Sequence, residues 1–146
     1  MQTELITLAT KVALAAGLDP VLVCSVVEQE SGWNPWAIRY EPAFMAKYVA
    51  PLYTNNKISA TEAFARSFSW GLLQCMGQVA REAGFNGPCL SQLCDPETGL
   101  TVGCQVLKKK LALAEGDVVK ALLLWNGGAN ASYPTQVLAR RPHYAG

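Results

Sequence analysis

Apolar positions along most of this chain recur with the period of a helix. Leu5, Leu8, Ala9 and Val12 stand on one helical face within residues 3–16, and Gly17 closes that segment. Asp19-Pro20 opens the next helix, with a capping side chain before proline at the first helical position. That helix runs to about Ser31. It is apolar nearly all round (Val21, Leu22, Val23, Val26, Val27), which marks it as buried. Residues 32–58 show no period and are rich in Trp, Tyr, Pro and Asn. Ser59-Ala-Thr-Glu62 has capping-box spacing and starts a short helix to about Phe68. Ser69–Met76 reads as a tight, glycine-containing segment, followed by a helix over 77–83 that stops at Gly84. Asp95-Pro96-Glu97 opens a longer helix to about Ala114. Gly116-Asp117 opens another, ending at Trp125-Asn126-Gly127-Gly128, and a last helix covers 134–141. About seven helices and no clear strand hairpin predict a mainly α fold. With no repeat or linker, residues 1–146 read as a single domain.

One polar residue breaks the apolar pattern of the second helix. Val23, Val26, Val27 and Glu30 stand at i, i+3, i+4 and i+7, so the carboxyl lies on the stripe that faces the core. Burial disfavours its charged form, and the C-terminal end of a helix is partially negative, so both raise its pKa. A carboxyl still protonated near neutral pH can act as a general acid. The alternative is a buried Glu satisfied by a backbone or hydroxyl partner. Glu28 points to another side of the helix and is the poorer candidate.

Composition narrows the choices further. Hydrophobic residues make up 51% of the chain, enough for a real core, and a formal net charge of +1 gives no electrostatic reason to expect a nucleic-acid partner. The Lys108-Lys109-Lys110 cluster reads as a solvated helix face. No apolar run approaches the ~20 residues a membrane span needs. Glu4 and Lys11 interrupt what would be a signal peptide, so no export signal is recognisable. The five cysteines match no zinc spacing and the only histidine is His143, so neither a metal nor a cofactor is expected. Cys24 reads as a buried thiol. Whether Cys89 pairs with Cys94 or Cys104 is open.

Four motifs then occur in order. Glu30-Ser31-Gly-Trp33-Asn34-Pro35-Trp-Ala37 resembles the E-S-x-F-x-P-x-A signature of soluble lytic transglycosylases, relatives of goose-type lysozyme. Ser69-Trp-Gly71-Leu72-Leu73-Gln74-Cys-Met76 resembles their G-L-M-Q-I-M segment. Leu93-Cys-Asp95-Pro96 through Gly103 and Leu107 resembles L-x-D-P-x-x-N-I-x-x-G-x-x-Y-L. Ala121-Leu122-Leu-Leu-Trp125-Asn126-Gly-Gly128 resembles A-L-x-x-Y-N-x-G. The resemblance spans residues 30–128 and implies a lysozyme-like helical domain with a cleft for peptidoglycan glycan strands.

It also implies roles by matching position. Glu30 would be the catalytic acid and then base. Ser31 would orient the sugar or hydrogen-bond near the reacting centre. Gly71 would admit the glycan close to the backbone, Gln74 and Met76 would line the cleft, and Asn126 would contact the sugar or the carboxylate. Asp95-Pro96 would cap a helix. Three departures stand out: Trp125 replaces the usual Tyr, Gly99 replaces an Asn, and the Glu30–Gly71 stretch is longer than in many relatives. If a tyrosine hydroxyl is needed, Tyr133 or Tyr144 must supply it. The additional residues, roughly 40–68, could form a wall or lid.

Among the tryptophans, Trp33 and Trp125 read as core, and Trp36 and Trp70 as sugar platforms. Glu41 is either a second carboxylate at the cleft or the partner of Arg39 or Lys47 in a surface ion pair.

The family's chemistry implies substrate-assisted cleavage of the MurNAc-β-1,4-GlcNAc bond to a 1,6-anhydromuramoyl end, without metal. The rivals are a muramidase that delivers water, with Glu41 as second carboxylate, and a wall-binding or virion module without activity. A monomer is expected. The missing export signal fits a phage-type lysin, released from the cytoplasm or carried in the virion and acting on the bacterial wall.

Overall fold

A computed structural model describes residues 1–146. The fold is mainly α, with a small antiparallel sheet. α1 (Gln2–Ala16) ends at Gly17 in the left-handed conformation, whose N–H returns to the carbonyls of Ala13 and Leu14. α2 (Pro20–Ser31) begins as its sequence dictates: the Asp19 side chain accepts from Val21 N–H at 2.9 Å, and Pro20 takes the first turn. Val23, Val26 and Val27 are fully buried, and they pack with Ala9, Ala13, Leu100, Leu107 and Leu122 into the main core. α7 (Pro96–Leu113) is the long central helix, capped by Asp95 accepting from Thr98 N–H at 2.9 Å. α8 (Val118–Asn126) and α9 (Tyr133–Leu138) complete the bundle against α2 and α7.

The segments between α2 and α7 correct two sequence expectations. Residues 32–58 are not irregular. They hold β1 (Ile38–Tyr40), α3 (Pro42–Phe44), a π-helical turn (Met45–Val49) and α4 (Ala50–Thr54). Residues 68–76 are a hairpin: β2 (Phe68–Trp70) turns through Gly71–Gln74 into β3 (Cys75–Met76), and β1 pairs with β2 on its other edge. These strands are two or three residues long, too short for alternation to show. The hairpin's turn also carries Leu72 and Leu73, both buried in the core, so the tight segment shows no polar turn between its two strands.

The capping-box expectation holds in half. Ser59 caps α5 (Ala60–Arg66) by accepting from Glu62 N–H at 3.1 Å. The Glu62 carboxylate, however, goes to Arg66 and Arg81 at 2.8 and 2.7 Å. Burial opposes its charge, but the two guanidiniums prevail and lower its pKa. The stretch is completed by α6 (Gly77–Glu82) and a 3-10 turn at Leu90–Cys94.

Two glycines meet at one carbonyl. A Cβ on Gly71, whose φ is +70°, would lie 2.4 Å from the Leu93 oxygen, and one on Gly99 would lie 2.3 Å from the same atom. The Gly99 departure therefore lets α7 close onto the Leu93 backbone. All five cysteines are free thiols; only Cys89 is exposed. No helix is long and apolar enough to cross a membrane.

Candidate active site

Glu30 sits in the last turn of α2, where the buried valine stripe emerges into a cleft of about 700 Å³. The cleft runs between α2, the sheet, α6, α7 and the end of α8. Its lining includes Glu30, Glu41, Gln74, Met76, Trp125 and Asn126, so the fold gathers most of the residues singled out in sequence.

Two donors converge on one oxygen of Glu30. Trp125 Nε1–H donates to Oε1 at 3.0 Å, and the Tyr133 hydroxyl donates to the same atom in a short hydrogen bond. Oε2 makes no hydrogen bond within the protein. Burial raises the Glu30 pKa above the usual carboxylate range, and the Tyr133 and Trp125 donors offset part of that rise. Burial and the neighbouring Glu30 push the Tyr133 phenol well up, so it stays a donor. The proton of a neutral Glu30 therefore belongs on Oε2, because Oε1 already accepts twice.

Of the two tyrosines weighed in sequence, Tyr133 on α9 is the one whose hydroxyl reaches Glu30. Tyr144 serves elsewhere: it donates to Glu28 Oε2 at 2.6 Å and accepts from Trp33 Nε1 at 2.8 Å. Glu28 also binds Arg140 at 2.7 Å and His143 Nδ1 at 3.0 Å. Burial works against its charge, but His143, Tyr144 and Arg140 together bring its pKa down to about 2. The two carboxyls of α2 are therefore driven apart. Glu28 is an ionised anchor for the C-terminal segment, and Glu30 is a carboxyl of raised pKa that lines the cleft.

The other candidates divide between the cleft and the structure around it. The Ser31 hydroxyl donates to the Leu72 carbonyl at 2.8 Å and lies 3.2 Å from the Val27 carbonyl, tying the end of α2 to the hairpin turn. The close approach that the structure shows at Gly71 is to the Leu93 carbonyl. Gln74 lines the cleft, yet its side chain is committed: it accepts from Ser69 Oγ at 2.8 Å and donates to the carbonyls of Ala37 and Gly71.

Trp36 is 75% exposed and outside the cleft. Trp70 is half-buried and does not line the cleft, with Nε1–H donating to the Ala65 carbonyl at 2.8 Å. Trp33 is buried in the main core. Trp125 is half-buried, packs against the main core and a smaller apolar cluster around Leu90, Leu93 and Val106, and also reaches the cleft. Asn126 is at the cleft with its amide nitrogen buried and unpartnered. Glu41 pairs with Arg39 at 3.0 Å on the cleft rim.

Comparison with family models decides the identity. The transglycosylase SLT domain model matches residues 7–136. The chain belongs to the transglycosylase SLT domain family. It is accordingly a lysozyme-like glycosidase of the lytic transglycosylase type, with peptidoglycan as its substrate and the cell wall as its place of action. Comparison with curated proteins and with solved structures gave no match.

Among the cleft-lining residues that sequence reasoning did not assign to the site are Arg39, Phe44, Tyr48, Glu82 and Lys110. Lys110 belongs to the cluster assigned to solvent. Its half-buried state, against exposed Lys108 and Lys109, follows from its place four residues after cleft-lining Val106.

Proposed function

We propose that this chain, acting as one domain, cleaves the MurNAc-β-1,4-GlcNAc bond with Glu30 as both acid and base. The observation that carries this reading is the asymmetry of the Glu30 carboxyl: Oε1 held by Tyr133 and Trp125, Oε2 free toward the cleft. Oε2–H protonates the glycosidic oxygen as the bond to C1 breaks. Negative charge then grows on the carboxyl, where the two fixed donors stabilise it. The substrate's 2-acetamido group stabilises the cationic C1. The ionised Glu30 next takes the proton of the C6 hydroxyl, whose oxygen closes on C1. The product is a 1,6-anhydromuramoyl end, and no water is consumed.

A muramidase reading would need a second carboxylate free to activate water. Glu41, the candidate read from sequence, lines the cleft, but its carboxylate is engaged by the Arg39 guanidinium. Glu41→Gln is therefore expected to keep turnover of purified peptidoglycan within about threefold, far from the ~10²-fold or greater loss that follows removal of a general base. A collapse of activity in a folded Glu41→Gln protein would replace this reading with the hydrolytic one.

A further inference from the structure

The stretch from β1 to α5 builds the cleft wall opposite the helical bundle, and its aromatic residues have no assigned task. Phe44 and Tyr48 both line the cleft, with ring centroids 4.9 Å apart and planes inclined at 50°. Tyr48 is 51% exposed. Neither ring is in the core, yet the backbone beneath them is firmly held. Val49 is fully buried. Ser67, also fully buried, places its hydroxyl 3.2 Å from Met45 Sδ, and its carbonyl accepts from Glu41 N–H at 2.9 Å. The turn between the two rings is π-helical: Ala50 N–H bonds the Met45 carbonyl five residues back. Such turns occur in short pieces and frequently at functional sites.

We propose that Phe44 and Tyr48 form a stacking platform for a sugar ring of the bound glycan strand, a subsite beyond the bond that Glu30 cleaves. The proposal rests on the glycan-cleaving reading of this cleft. A pyranose ring presents an axial C–H face that an aromatic ring covers without leaving hydroxyls unsolvated. A half-buried ring and an exposed one on a well-anchored wall, both lining the cleft, provide that surface at little cost in side-chain ordering. Lys47 lies over the Tyr48 ring at 5.0 Å from its centroid and helps to fix it. Both rings lie outside the four motif segments, so the platform would extend the grip on the strand without altering the chemistry.

The test measures binding of peptide-free GlcNAc–MurNAc strands by calorimetry, with Glu30→Gln as the non-cleaving parent. Replacing both rings by leucine (F44L/Y48L) keeps apolar bulk and removes the stacking faces. The exchange F44Y/Y48F keeps both rings. The leucine pair is expected to weaken binding at least about tenfold and the ring exchange by no more than about twofold, with matching melting temperatures. Equal binding by the leucine pair and the parent would overturn the platform while leaving the cleft reading intact. So would equal weakening by both variants, or an effect seen only with peptide-bearing strands. If the Glu30→Gln parent bound no peptide-free strand, the glycan reading itself would fail, and the platform with it.

Discussion

Glu30→Gln is expected to lower peptidoglycan cleavage by about two to four orders of magnitude, the usual worth of positioned general acid–base catalysis. The amide oxygen can still accept from Tyr133 and Trp125, so the geometry around Oε1 survives. What disappears is the proton that Oε2 delivers. Stability should move the other way. The pKa of Glu30 is raised in the folded state. Its contribution to stability is therefore complete below the ordinary carboxylate pKa and is lost as pH rises through the folded value. At neutral pH the Gln variant should melt no lower than the wild type, and any advantage should vanish in acid. Thermal melts at neutral and acidic pH, beside a wall-lysis assay, read both effects. A folded Gln variant with retained activity would remove Glu30 from its role.

Tyr133→Phe is expected to cost about one to two orders of magnitude in turnover, which corresponds to losing one hydrogen bond to a charged group. The ring stays in its buried place, so packing changes little. The loss falls on the step in which charge grows on Glu30, because only Trp125 remains to stabilise it. The pH profile gives a second readout. The phenol donor lowers the Glu30 pKa, so its removal raises that pKa further. The alkaline limb of activity, where the acid loses its proton, should shift to higher pH. An unchanged rate with an unchanged limb would mean that Tyr133 only fills space.

Much of this site was legible from local pattern. The Asp19-Pro20, Asp95-Pro96 and Asp117 helix starts were readable because a cap needs only residues within one turn of itself. Glu30 stood out because a helix of known phase must carry its seventh position onto the stripe begun by Val23. The partner of Glu30 was not readable in the same way. Tyr133 is 103 residues distant and comes into place only when α9 packs on α2. Sequence left it level with Tyr144, and tertiary packing separated them.

The sugar platforms show the opposite difficulty. Trp36 and Trp70 stand within the motifs in sequence, but strand alternation sends Trp70 to the sheet face opposite cleft-lining Ser69. Phe44 and Tyr48 reach the cleft through a π turn that no periodicity announces.

The mass spectrum of peptidoglycan digested by the wild-type protein tests the central claim most directly. If Glu30 delivers the C6 hydroxyl to C1, the released strands end in 1,6-anhydromuramoyl groups, about 18 Da (one water) below the hydrolytic product. If the ends are reducing MurNAc residues at the full hydrolytic mass, water is the acceptor, and the single-carboxylate mechanism drawn from the Glu30 geometry is contradicted.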